Sequence, residues 1–84
     1  MTTPLLRINR SALIEELSLH VDVPSKAAAA RIIDFITEQI TNNVVAGNTV
    51  TISGFGKFEP YKRLNGSIIP KFRPYKDFKQ AVSA

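Results

Sequence analysis

The chain has 84 residues, a formal net charge of +4, one histidine and no cysteine. Residues 1–84 therefore read as a single domain near the lower limit for a self-sufficient core, with disulfides and thiolate metal sites excluded as stabilisers. Oligomerisation is the remaining common way to stabilise so short a chain, and a homodimer is expected.

Residues 1–8 contain Pro4 and no clear periodicity, and are read as an N-terminal extension or lead-in. Asn9, Arg10 and Ser11 bring cap-type residues to the start of an amphipathic helix over roughly residues 10–20. Leu13 and Leu17 share one face of it with His20 or Val21, and Ile14 lies beside them. Pro24 restricts Val23 to extended geometry, and Ser25 is a good cap for the next helix. That second helix is expected from Lys26 to about Ala46. Ala29, Ile33, Ile36, Ile40 and Val44 form one long stripe along it, widened by Ile32 and Phe35. So broad a stripe exceeds what one small subunit needs, so part of it should bury against a second subunit. Gly47 is the expected stop.

Val50 and Ile52 then alternate with Thr49, Thr51 and Ser53, the two-residue period of a half-buried strand. Gly54 and Gly56 bracket Phe55 in a turn, and a second strand follows from Phe55–Phe58 onward. Phe55 and Phe58 cannot both hide in one small monomer, so one is expected to pack across an interface. Pro60 cannot donate to a ladder, which places this strand at an edge there. Asn65-Gly66 is a strong hairpin signal, with a returning strand expected over Ser67 to Phe72. Pro74 suits the first position of a short final helix anchored by Phe78 and Val82.

The charge is unevenly placed. Residues 1–56 carry Arg7, Arg10, Lys26 and Arg31 against Glu15, Glu16, Asp22, Asp34 and Glu38. Residues 57–84 carry Lys57, Lys62, Arg63, Lys71, Arg73, Lys76 and Lys79 against only Glu59 and Asp77. A basic C-terminal half points to a polyanion, nucleic acid before acidic lipid, with a solvated lysine-rich surface as the plain alternative. An anionic-membrane binder would need a basic amphipathic helix with bulky apolar anchors, which the chain lacks. Catalysis and cofactor binding find no support: Gly54-Phe55-Gly56 is too short to cradle phosphate, His20 stands alone, and Glu15 and Glu16 point apart on a helix. No apolar run approaches membrane-spanning length and no signal-peptide layout opens the chain, so a cytoplasmic protein is expected.

The stretch Ile52-Ser53-Gly54-Phe55-Gly56-Lys57-Phe58-Glu59 resembles the signature of the HU/integration host factor family of bacterial DNA-bending proteins. The likeness extends over roughly residues 8–82. It implies an α+β fold in which two chains intertwine: two N-terminal helices, a three-stranded antiparallel sheet with a β-hairpin arm, and a short C-terminal helix. It also implies a nucleoid-associated, histone-like protein that binds double-stranded DNA mainly through phosphates, with little sequence preference. By the same likeness Phe55 and Phe58 match an aromatic pair in the dimer core, which would join the interface expected from the stripe at Ile33, Ile36, Ile40 and Val44. Arg10, at the opening of the first helix, would meet a phosphate. Tyr61 and Arg63 fall on alternate residues of the outgoing arm strand, with Lys57 on the solvent side and Lys62 pointing the other way or lying at a rim. Phe72-Arg73-Pro74-Tyr75-Lys76 resembles the family's phosphate clamp, making Arg73 and Lys76 its cations, with Lys71 and Lys79 adjoining.

Two departures from the family pattern stand out. Asn65-Gly66 closes the arm where the family continues for many residues, so the tip whose proline wedges between base pairs is missing. Tyr75 replaces the glycine that usually precedes the clamp lysine. DNA bending weaker than is usual in the family follows. The short arm also motivates an alternative, in which the chain forms a heterodimer with another HU-like protein and modulates its DNA binding.

Overall fold

The structure, a computed structural model of the chain, describes residues 6–83. Most of the lead-in expected over 1–8 lies outside these residues; Leu6 to Ile8 are exposed and carry no regular structure. The elements follow in the order α1 (Arg10–Ser18), α2 (Lys26–Val45), β1 (Val50–Ile52), β2 (Gly56–Lys62), β3 (Ile68–Pro74) and α3 (Lys76–Ser83). The chain divides into two compact units, one ending at Ile36 and the other beginning at Thr37.

In the first unit, each helix starts on a side-chain cap. Asn9 Oδ1 accepts from the Ala12 N–H at 3.0 Å, and Ser25 Oγ accepts from the Ala28 N–H at 3.0 Å. Each satisfies one of the donors that a helix start leaves unpaired. Helix α1 stops at Ser18, two residues short of the expected end, because the Leu19 and His20 N–H groups turn to the Glu16 and Leu17 carbonyls. Arg10 grips Asp34 of α2 with two nitrogens, at 2.9 and 3.2 Å from Oδ1. Ala28 and Ala29 are the buried hydrophobic residues among those described. As small side chains they bury little area.

In the second unit, α2 ends where Gly47 takes φ +91°, a torsion that side chains with a β-carbon disfavour. The sheet is antiparallel in the order β1-β2-β3. Strand β1 runs alongside β2 only as far as Phe58, so Pro60 has β3 as its single neighbour. Pro60 stands directly opposite Pro70. The Arg63 N–H donates to the Ser67 carbonyl, which sets the alternation of the ladder and makes Pro60–Pro70 a pair that needs no N–H donor.

The hairpin closes through three residues, Leu64-Asn65-Gly66. The Gly66 N–H bonds back to the Arg63 carbonyl, and Gly66 alone takes positive φ, at +90°. This is a turn followed by a glycine bulge rather than the two-residue turn that Asn-Gly commonly makes. Asn65 Oδ1 accepts from both the N–H and the hydroxyl of Ser67, at 3.0 and 2.7 Å. The returning strand is shifted from the expected Ser67–Phe72 to Ile68–Pro74. Pro74 consequently ends β3 opposite Gly56 instead of opening α3. The sheet there needs no donor from it, and the Tyr75 N–H then reaches the Phe55 carbonyl at 2.9 Å before the helix begins.

Candidate nucleic-acid interface

Side chains alternate across a strand, so the register sorts this sheet into two faces. One face carries Thr51 from β1, Lys57, Glu59 and Tyr61 from β2, and Arg73, Lys71 and Ile69 from β3. Arg63, one step past β2, continues the same alternation. The other face carries Val50, Ile52, Phe58, Pro60, Phe72, Pro70 and Ile68, with Lys62 as its cation at the hairpin end. Four cations and one carboxylate thus share the first face, and the second is apolar over most of its length.

On the cationic face, Glu59 lies between two partners. Its Oε2 is 3.3 Å from Lys57 Nζ and its Oε1 is 3.4 Å from Arg73 Nε. Lys71, directly opposite Glu59, leans instead over the Tyr61 ring, with Nζ 4.3 Å from the centroid. That contact is a cation–π pair at an exposed site. Arg63, Lys71, Lys76 and Lys79 make no ion pair among the described residues, and neither does Lys62. Lys76 and Lys79 belong to α3, outside the sheet. Arg10 is held by Asp34 in the other unit.

The apolar face is organised by four phenylalanines. Phe55 stacks on Phe78 at 4.8 Å and meets Phe72 at 5.1 Å, while Phe58 meets Phe72 at 4.8 Å. These contacts lie within one chain, so α3 is pinned to the Gly-Phe-Gly turn by Phe55. Gly56 makes the close packing possible: a β-carbon there would come within 2.6 Å of the Phe72 ring and the Arg73 carbonyl oxygen. Beyond the cluster, Phe58, Ile68 and Pro70 face Ile40, Val44 and Val45 of α2 across an apolar hollow, and Ile69, on the other face by register, also lines it. Within the first unit, Phe35 is 63% exposed and Ile36 and Leu13 are also exposed, while Ile33 is half-buried.

The residue missed by sequence reasoning is Glu59. Its two-residue spacing from Lys57 and Tyr61 was visible in the sequence, but its approach to Arg73 depends on the register across the hairpin. The Lys71–Tyr61 contact was hidden for the same reason.

The chain matches the family described as bacterial DNA-binding protein over residues 8–68, well over half its length. The HU-beta DNA-binding protein of Salmonella typhimurium is 32% identical over 91 residues, covering 90% of this chain and all of the relative. The HU DNA-binding protein of Neisseria meningitidis serogroup B is 33% identical over 90 residues, with 89% and 100% coverage. Among solved structures, a point mutant of HU from Thermotoga maritima aligns with a TM-score of 0.78 at 35% identity, covering 88% of this chain and 97% of its own. HU from Anabaena, in a cocrystal with DNA, shares the fold with a TM-score of 0.77 at 23% identity, over 89% and 97% of the two chains. The helix–helix–sheet–helix order, the glycine-flanked turn and these matches together establish that the chain belongs to the bacterial DNA-binding protein family of HU.

Proposed function

We propose that two copies of this chain intertwine into a histone-like architectural protein that binds double-stranded DNA largely through its phosphates. The observation that carries the reading is the sheet register, which gathers Lys57, Lys71 and Arg73, with Arg63 beyond them, on one face. Lysine and arginine on a flat surface neutralise phosphates and release counterions without reading base edges, so sequence preference is weak. Dimerisation is supported by the thin interior of the single chain and by the apolar hollow between α2 and the hairpin. A second copy supplies the apolar surface that closes it. The protein then works on the nucleoid in the cytoplasm and needs no cofactor.

Bending is weaker than in longer-armed relatives. Each strand of the hairpin has seven residues, and the turn at 64–66 ends it. The relatives align over 90 or 91 positions although this chain supplies only about nine-tenths of its 84 residues, so they have positions without a counterpart here. The same shortness favours a second reading, a subunit that pairs with a longer-armed HU-like chain and alters its DNA binding. Mixing the two and weighing the assemblies separates these readings.

Anisotropy titration against linear, nicked and cruciform duplexes at two salt concentrations tests the first. The expected result is binding to all three that weakens steeply with salt. Arg73→Gln with Lys76→Gln should lower the log–log salt slope by about 1–2. Binding that ignores salt, or an unchanged slope in the double variant, contradicts the assignment.

A further inference from the structure

Glu59 is the one acidic side chain on a sheet face that also carries Lys57, Lys71 and Arg73. Its side chain is 19% exposed, while the Arg73 and Lys57 side chains are 51% and 36% exposed. Oε2 is buried and accepts no hydrogen bond, so its attachment to Lys57 is one of charge and proximity. Such a carboxylate has two effects. It draws Lys57 and Arg73 along the sheet surface toward itself, and it opposes any phosphate approaching between them. Lys71 escapes this, although it stands opposite Glu59 in the ladder, because it rests on Tyr61 instead.

We propose that Glu59 is a positioning residue that limits DNA affinity by tethering Lys57 and Arg73, so that a phosphate must displace it to engage either cation. The proposal rests on the DNA-binding reading above. It divides the face into a tethered half at the base of the sheet and an untethered half, Lys71 and Arg63, toward the hairpin end. Contacts made by exchange between a carboxylate and a phosphate are weaker than contacts made by a free cation. That arrangement suits a protein that binds DNA without reading its sequence and moves along it.

The test is Glu59→Gln, which removes the charge with little change of shape. Circular dichroism and sedimentation first establish that it is folded and assembled as wild type. The expected result is severalfold tighter binding to a linear duplex at low salt, with a log–log salt slope steeper by about 1. Binding that is unchanged or weaker in the folded variant overturns the tether. A second comparison leaves Glu59 in place: Arg73→Gln should lose less affinity than Lys71→Gln, because Arg73 is partly neutralised beforehand. An equal or larger loss from Arg73→Gln overturns the tether even if Glu59→Gln does not fold. If wild type itself ignores duplex DNA, the functional reading fails and takes the tether with it. Wild-type binding with no response at Glu59 sinks the tether alone.

Discussion

Gly56 shows how little room separates the strands from the aromatic cluster. Its backbone torsions are ordinary, but a β-carbon would press into Phe72 and the Arg73 carbonyl at 2.6 Å. Gly56→Ala should therefore destabilise the protein by about 1–3 kcal/mol, the usual range for overpacking. The sign is informative, since alanine at an uncrowded position would stabilise by about 0.4–1 kcal/mol through the unfolded chain. Urea denaturation decides between them, and a rise in midpoint would show that the strands have slack. In the sequence, Gly54-Phe55-Gly56 announced a turn, but the two glycines do different work. Gly54 takes φ +76°, whereas Gly56 is needed for space in a strand. Nothing in the residue string separates those roles. The caps were legible for the opposite reason: Asn9 and Ser25 act on N–H groups three residues away, a purely local relation.

At the scale of elements, the loop length of the hairpin decides what the sheet can do. With three loop residues, Lys71 and Arg73 fall on the face of Lys57 and Tyr61. A two-residue Asn65-Gly66 turn would shift β3 by one position and send both cations to the side of Phe58. Deleting Leu64 gives the chain that shorter turn while Arg63 still faces Ser67, so the register and the cationic face are kept. The expected outcome is a folded variant with duplex binding near wild type, checked by thermal melting and anisotropy. Lost binding by a folded deletion variant would show that the face is not set by this register. Both turn types use Gly at the second position of Asn-Gly, so the sequence revealed a hairpin but not its register. The same ambiguity placed Pro74 at the head of α3, a position proline favours, when the ladder already used it opposite Gly56.

For the molecule as a whole, charge and apolar surface are segregated, and the hairpin has one face of each kind. The helices, the individual strands and the basic C-terminal half were readable because periodicity and composition report them directly. Convergence of Lys57, Lys71 and Arg73 was not, since it requires the register between β2 and β3, which the turn residues leave open. Net charge alone would attract DNA whichever way these side chains pointed. In the proposed mode of binding the attraction belongs to one face. The most direct measurement compares Lys71→Gln with Lys62→Gln, equal charge changes on opposite faces of the same ribbon, by duplex affinity across a salt series. Lys71→Gln should lower both the affinity and the log–log slope, the latter by about 1, while Lys62→Gln leaves both near wild type. Equal losses from the two variants would contradict a single phosphate-contacting face.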